Sequence, residues 1–241
     1  MIDHYDWSGG REAMLRFGPA DGPVVVAALP LFEEANRTRT FMVRILRLLA
    51  DRGIGSILPD LPGQGESVVP LESVTILTMQ QAFAATMEHS ERPAYAVGIR
   101  SGALLDTYSL LDGRWHFAPQ GGATLLRELT RIKQAETGKN LSEYWYFDED
   151  SSNNVGSSPV EIAGNRIAPD LLTDLSVKHP WDYSMSPDIP LRTVRLESDT
   201  KTADRHVAGA PLWRRSEPGD DPMLAAVLAD DIADWVRSCE G

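Results

Sequence analysis

The stretch Tyr95-Ala96-Val97-Gly98-Ile99-Arg100-Ser101-Gly102-Ala103-Leu104-Leu105 decides the fold of this chain. An apolar run, then glycine, then a second apolar run predict a strand, a sharp turn and the first turn of a helix. Gly98 and Gly102 stand two residues before and two residues after Arg100. Small residues at this spacing let the tip of such a turn lie against the neighbouring strand and helix. Arg100 is therefore predicted to occupy a strained tip.

Strands and helices are predicted to alternate along the rest of the chain. A hairpin is predicted over 2–17, and short apolar runs predict buried strands at 24–29, 54–58, 94–97, 114–118 and 191–196. Helical spacing predicts helices around 41–49, at 79–88, 103–111 and 125–132, and at 223–236, with a last strand over 206–213. This alternation indicates a parallel sheet covered by helices on both faces, with the site at the carboxyl ends of the strands.

The chain of 241 residues is long enough for one α/β domain with a full core. We therefore interpret residues 1–241 as a single domain. The region from about 119 to 190 differs in character, because it combines one amphipathic helix with a polar stretch at 151–158. We interpret this region as a cap inserted between strands, above the site.

Composition and charge exclude several classes of function. The net charge of −12 argues against sequence-independent binding of nucleic acid, which needs a basic surface. The longest apolar run, 24–32, is too short to span a bilayer, and the polar N-terminus is unlike a signal peptide. The single cysteine, Cys239, fits a reducing compartment. We expect a cytoplasmic protein with a small-molecule ligand and with no cofactor or metal; the oligomeric state stays open.

Two motifs resemble those of the α/β-hydrolase superfamily. The loop 60–67 reads DLPGQGES, which is similar to the D-x-P-G-x-G-x-S turn of that superfamily. The stretch from Gly98 to Gly102 resembles its G-x-S-x-G elbow. The resemblance implies a three-layer α/β-hydrolase fold, with a mostly parallel central sheet, helices on both faces and a short cap.

Within that superfamily the chain most resembles a small bacterial group, the exosortase A system-associated hydrolases of type 2. The matching stretches are 30–37 (PLFEEANR), 98–103 (GIRSGA), 160–164 (VEIAG), 168–171 (APDL) and 207–213 (VAGAPLW). Arginine at the elbow tip is usual in that group, whereas Leu212 departs from it, since the group has an aromatic residue there. The resemblance implies a link to bacterial exopolysaccharide and protein-sorting gene neighbourhoods and supplies no reaction.

The residues of a serine-hydrolase triad are not recognisable. Acyl transfer on this fold needs serine, an acid and histidine in that chain order. The serine position holds Arg100, which has no lone pair with which to attack. The segment 213–222, where the base is expected, contains no histidine; His206 stands at the start of the last predicted strand, which is the wrong end of the sheet, and His116 lies inside another strand. With no base to orient, Asp199 is interpreted as a turn residue. The sequence predicts a degenerate triad.

Arg100 requires an anionic partner, because an unpaired cation at a buried helix N-terminus is unfavourable. Glu33 and Glu34 follow the predicted strand 24–29, whose end is expected beside the end of the elbow strand. We therefore predict a bidentate pair between Arg100 and Glu33 or Glu34.

Three functional hypotheses remain open at this point. The favoured one is a protein that binds a small anionic or polar ligand at Arg100. The first alternative is an esterase-like hydrolase using Ser101, or a water activated by Glu33 or Glu34. The second is a protein-interaction module with a closed pocket. The candidate catalytic residues are Arg100, Ser101, Glu33 and Glu34, and the candidate ligand-binding residues are Arg100, Asn36, Arg37 and Gln64.

Overall fold

The computed structural model describes residues 1–90, 92–142, 145–147 and 158–241. Its strands are β1 (Ile2–Trp7), β2 (Gly10–Phe17), β3 (Val24–Ala28), β4 (Gly55–Pro59), β5 (Ala94–Ile99), β6 (Gly113–Phe117), β7 (Val160–Ile162), β8 (Asn165–Ile167), β9 (Leu191–Leu196) and β10 (Arg205–Val207). Its α-helices are α1 (Glu33–Asp51), α2 (Ile76–Glu88), α3 (Gly122–Thr137), α4 (Pro169–Val177) and α5 (Pro222–Glu240).

Eight of these strands form one sheet in the spatial order β1–β2–β4–β3–β5–β6–β9–β10. The predicted hairpin β1–β2 is antiparallel and adds to β4 at one edge, while the pairings from β4 through β10 are parallel. The short strands β7 and β8 form a separate antiparallel hairpin. The mostly parallel sheet predicted from the sequence is confirmed.

Helices cover both faces of the sheet, because successive strand side chains point to opposite sides. In β3, Val25 and Ala27 pack in one core with α1 and α5, and Val24 and Val26 pack in a second core with α2, α3 and α4. The central strand is buried on both faces, which explains its continuous apolar sequence. The three layers of the predicted fold are present.

The region predicted as a cap, 119–190, contains α3, the β7–β8 hairpin and α4. Apolar side chains of all three elements join the second core, among them Leu125, Ile162 and Leu172. Residues 143–144 and 148–157, with most of the polar stretch 151–158, lie outside the described residues. Within the described ranges, no helix is both long and apolar enough to cross a membrane.

Two sequence predictions about local structure are wrong. The predicted helix 103–111 is absent, because the chain turns away after the 3₁₀ turn Arg100–Leu104. Arg114 from β6 donates to the carbonyl oxygens of Asp106 and Ser109, both at 3.0 Å, and so holds a turn in place of helical hydrogen bonds. The predicted last strand 206–213 ends at Val207, and Pro211, which has no N–H for a ladder, precedes a second 3₁₀ turn, Leu212–Arg214.

Candidate functional site

The elbow keeps a strained backbone although its tip is arginine. Arg100 follows β5 directly and has φ 55°, in the left-handed region that side chains other than glycine rarely occupy. A Cβ atom at Gly98 would lie 2.9 Å from the backbone of Ala103, and one at Gly102 would overlap the carbonyl oxygen of Ala28. The two glycines are therefore required by close approach of the main chain, as the sequence predicts.

The register of the sheet brings Arg100 to the first turn of α1. Ala28, at the end of β3, pairs with Gly98 of β5, so the residues after the two strands are neighbours. Arg100 Nε donates to Glu34 Oε2 at 3.2 Å and Nη2 donates to Glu34 Oε1 at 3.3 Å. The predicted bidentate pair is present, and Glu34 is its carboxylate.

Two further side chains hold the Arg100 guanidinium. Nη2 also donates to Glu128 Oε2 of α3 at 3.4 Å, and the guanidinium carbon lies 4.9 Å from the ring centroid of Trp213. Gln120 Nε2 donates to the same Glu128 oxygen at 2.8 Å. Sequence reasoning missed Glu128 and Trp213, because Glu128 lies among the apolar residues of an amphipathic helix and Trp213 was placed in a strand.

Glu33 points away from this pair. Its Oε2 accepts from Arg37 Nη2 at 2.6 Å, one helical turn along α1, and Arg37 Nη1 donates to the carbonyl oxygen of Trp213 at 3.1 Å. Arg37 is thereby fixed at the edge of the site. The structure brings Glu34, and not Glu33, to the tip of the elbow.

The Glu34 carboxyl has a perturbed protonation equilibrium. Burial raises the pKa of Glu34 above its usual value, and the nearby charge of Glu128 acts in the same direction. The charges of Arg100 and Arg37 oppose this rise without cancelling it. A carboxyl whose pKa is raised at the end of the sheet is a candidate for proton transfer or for ligand binding.

A cavity of about 300 Å³ opens beside Arg100. Its walls are largely apolar and include Leu125, Leu129, Ile132 and Ile162 from the region predicted as a cap. The charged residues of its lining are the arginines 37, 100, 131 and 214 and the glutamates 33, 34 and 128, so arginines outnumber carboxylates. An apolar cavity with a few convergent polar groups is the usual form of a small-molecule site.

Arg100 retains donors that could meet a ligand. Its Nε and Nη2 are taken by carboxylates, whereas Nη1 has no hydrogen-bond partner among the described residues. The side chain is 13% exposed and lines the cavity. The two N–H groups of Nη1 thus lack an acceptor among the described residues.

Ser101 lies in the core of the elbow. The residue is fully buried, and its Oγ accepts from the amide of Leu31 at 2.9 Å. Ser101 does not line the cavity beside Arg100. In a hydrolase of this fold, an amide from the loop after β3 helps to stabilise the substrate oxyanion. In this protein the Leu31 amide donates instead to the Ser101 hydroxyl, which argues against Ser101 as an attacking group.

Two of the predicted ligand-binding residues stand apart from this cavity. Asn36 is exposed on α1, and Gln64 lies in the loop 60–67, where its backbone N–H donates to Leu61 O at 2.8 Å. Neither residue lines the cavity. Arg37 and Arg100 do line it, so the structure brings together only part of the predicted ligand-binding set.

The histidines do not supply a base for the elbow. His116 is buried in β6, and its Nε2 is 2.7 Å from Asp106 Oδ2. The remaining histidines, His4, His89, His179 and His206, are exposed and none lines the cavity.

Asp199 has a structural partner. Its Oδ2 accepts from Arg195 Nη1 at 2.7 Å. Burial opposes ionisation of Asp199, but the amide of Lys201 and the Arg195 guanidinium outweigh it and lower the pKa. The described residues contain no group of three or more histidine, cysteine or acidic side chains placed to hold a metal ion.

Comparison with known proteins identifies the fold. No family model and no curated protein matches the sequence. Among solved structures, the chain is similar over its whole length to a haloalkane dehalogenase loop variant, DbeA-M1, from Bradyrhizobium elkanii, with TM-score 0.60, 13% identity, and coverage of 100% of this chain and 97% of the other.

Two further structures have the same architecture. They are the epoxide hydrolase VrEH1 from Vigna radiata (TM-score 0.60, 12% identity, 99% and 98% coverage) and a thermophilic esterase from Thermogutta terrifontis (TM-score 0.55, 13% identity, 100% of both chains). These likenesses show that the chain has the α/β-hydrolase fold. At such low identity they do not carry over a reaction, since one fold supports many functions.

Proposed function

We propose that this α/β-hydrolase-fold protein binds a small anionic or polar ligand at Arg100 and has a degenerate triad. The observation that carries the proposal is the Arg100 guanidinium at the elbow tip, held by Glu34 and Glu128 with Nη1 left for a ligand. A guanidinium can bind a carboxylate or phosphate but cannot attack a carbonyl carbon. The site is thus suited to recognition by a fixed cation.

The charge of the cavity supports an anionic or polar ligand. Arginines outnumber glutamates in its lining, although the whole chain carries a net charge of −12. A local excess of positive charge on an acidic protein attracts anions to that place and repels them elsewhere.

A binding experiment tests this proposal. We expect butyrate and inorganic phosphate, titrated by calorimetry, to bind the wild-type protein, and Arg100→Gln to weaken binding about tenfold or more. Arg47→Gln is the matched control, because Arg47 is an exposed arginine of α1 that lines none of the cavities described here. Equal affinities of wild type and Arg100→Gln for both anions would overturn the proposal.

A serine-directed fluorophosphonate probe tests the degenerate triad separately. We expect no labelling of the wild-type protein, since the Ser101 hydroxyl is buried and bound to the Leu31 amide. Labelling that disappears in Ser101→Ala would restore the serine-hydrolase hypothesis.

Hydrolysis by an activated water is a second candidate function, favoured by the raised pKa of Glu34. In this mechanism Glu34 takes a proton from a water while Arg100 holds the substrate anion. Hydrolysis of mono-p-nitrophenyl succinate, an ester that carries a carboxylate for Arg100 to hold, should then disappear in Glu34→Gln and persist in Glu33→Gln, because Glu33 is paired with Arg37. Equal loss of activity in both variants would reject this mechanism.

The third hypothesis, an interaction module with a closed pocket, is less well supported. A cavity of about 300 Å³ lies beside Arg100, where that hypothesis requires none. We further propose a cytoplasmic protein of a bacterial exosortase or exopolysaccharide system. The location rests on the sequence pattern and the biological link on the resemblance of stretches such as 30–37 and 207–213.

A further inference from the structure

A second cavity, of about 330 Å³, also has Arg100 in its lining. The residues that line both cavities are Arg100, Glu128, Trp213 and Arg214. The loop after β9 supplies much of the remaining wall, which includes residues 198–201. The two cavities therefore adjoin at the elbow tip, and any ligand bound there could contact both.

The two cavities differ in chemistry. The apolar cavity beside Arg100 has side chains such as Leu129, Ile132 and Ile162 in its wall. The second, polar cavity is lined by the hydroxyls of Ser198 and Thr200, among other polar groups. A ligand that fits both therefore needs an apolar part and a polar part.

The charges of the polar cavity point to an anionic group. Its acids are already engaged: Asp199 accepts from Arg195 at 2.7 Å, and Glu128 accepts from Arg100 and Gln120. In contrast, the side chains of Lys201 and Arg214 make no ion pair or hydrogen bond with any described residue. Two cations with no ion-paired or hydrogen-bonded side-chain partner among the described residues thus line a cavity whose two carboxylates already accept hydrogen bonds from other side chains.

We infer that the two cavities form one site for an anionic amphiphile. The alkyl or acyl chain lies in the apolar cavity, and a phosphate or carboxylate headgroup lies in the polar cavity against Lys201 and Arg214. Arg100 lies at the junction and contacts the headgroup through Nη1. This inference rests on the proposed function, because it names the class of the ligand bound at Arg100.

The chemistry of each part matches its surroundings. Removing an alkyl chain from water against Leu129 and Ile132 provides affinity in proportion to the area buried. Phosphate and carboxylate oxygens are the acceptors that a guanidinium and an ammonium bind best. Because Lys201 and Arg214 are exposed, the headgroup can enter from solvent.

Calorimetry with dodecyl phosphate and dodecanoate, below their micelle concentrations, tests the inference. Dodecyl maltoside, whose head is uncharged, and inorganic phosphate, which has no alkyl chain, serve as the comparisons. We expect both anionic amphiphiles to bind about tenfold or more tightly than either comparison. The ratio between dodecyl phosphate and dodecanoate distinguishes a phosphate from a carboxylate head.

Variants of exposed side chains separate the two cavities. K201Q/R214Q should weaken dodecyl phosphate about tenfold and leave dodecyl maltoside unchanged, whereas K139Q/R47Q, at exposed sites outside both cavities, should change neither. Ile132 is 39% exposed, and Ile132→Asp should abolish the extra affinity that the alkyl chain of the amphiphile provides. Thermal denaturation checks that each variant is folded.

The inference and the proposed function can fail separately. Suppose that inorganic phosphate binds in an Arg100-dependent way. If a twelve-carbon chain then gives no gain in affinity, or if K201Q/R214Q binds dodecyl phosphate as tightly as wild type, the amphiphile inference is wrong and the proposed function stands. If no anion binds and Arg100→Gln changes nothing, both are wrong.

Discussion

Two clusters of arginine and carboxylate side chains in this protein differ in how completely the carboxylate is satisfied. Asp231 of α5 accepts from Arg192 of β9 at 2.7 and 2.8 Å, from Arg205 of β10 at 2.8 Å and from Trp115 Nε1 at 2.8 Å. At the elbow, the two bonds from Arg100 to Glu34 are 3.2 and 3.3 Å long. The carboxylate of Asp231 therefore accepts more and shorter hydrogen bonds than the carboxylate of Glu34.

The protonation equilibria of the two acids differ in the same sense. Burial raises the pKa of Asp231, but hydrogen bonds from Arg192, Arg205 and Trp115 outweigh it and lower the pKa to about 2. Burial dominates at Glu34, so its pKa is raised despite Arg100. The Asp231 cluster ties α5 to three strands, whereas the elbow cluster, with its longer hydrogen bonds, is where we propose the ligand site.

The largest effect is expected for Asp231→Ala. Its removal leaves Trp115 Nε1 and two arginines without their acceptor, and we expect the free energy of unfolding to fall by about 3 kcal/mol. Urea denaturation measures this change. Asp234→Ala, on an exposed turn of the same helix, should change stability by less than about 0.5 kcal/mol. Similar losses in the two variants would mean that the Asp231 cluster is not a structural clamp.

A smaller effect is expected from acid. The pKa of Asp231 is about 2 in the folded protein against a usual 3.8, so the folded state favours the ionised form. Ionised Asp231 contributes about 2 kcal/mol to the free energy of unfolding above pH 4, and this contribution is lost as pH falls toward 2. The difference in unfolding free energy between wild type and Asp231→Asn should shrink over this range, and a constant difference would contradict the assigned pKa.

At the elbow, Arg100→Gln should lower the free energy of unfolding by about 1 kcal/mol, and this effect should also diminish as pH falls. Without the guanidinium, the pKa of Glu34 rises further, so the folded state is penalised at neutral pH and recovers as pH falls through that pKa. The stability difference from wild type should therefore be greatest at neutral pH and should diminish as the pH falls. The double variant R100Q/E34Q should lose this pH dependence; its persistence would show that another group titrates.

The smallest effect is expected for Glu33→Gln. Its pair with Arg37 spans one turn of α1, and the two side chains are 41% and 29% exposed. Such pairs contribute about 0.5 kcal/mol or less. Denaturation and anion binding should both stay close to wild type. A loss as large as that of Arg100→Gln would mean that Glu33 also acts at the elbow.

Much of this arrangement could be predicted from local sequence. Gly98 and Gly102 identify the elbow because two close backbone approaches exclude any side chain, and the apolar runs identify buried parallel strands. The pair between Arg100 and an acid after β3 follows from the neighbouring strand ends. These features depend on short-range rules and on the regular geometry of a parallel sheet.

The features that could not be predicted depend on distant residues. Glu128 reaches Arg100 from α3, 28 positions away, and nothing in the sequence of that helix marks it. The absence of the predicted helix 103–111 depends on Arg114, whose guanidinium binds turn carbonyls from a neighbouring strand. Tertiary contacts of this kind override helical propensity and leave no local pattern.

The left-handed backbone at Arg100 has a consequence for redesign of this protein. The direction in which its side chain leaves the main chain is set by the φ of 55° and by the glycines on either side, independently of its hydrogen-bond partners. A different side chain substituted at this position would leave the main chain in the same direction without further changes to the protein. Different reactive or ligand-binding side chains can therefore be substituted at this position of the elbow, and the surrounding carboxylates set the chemical environment of each one.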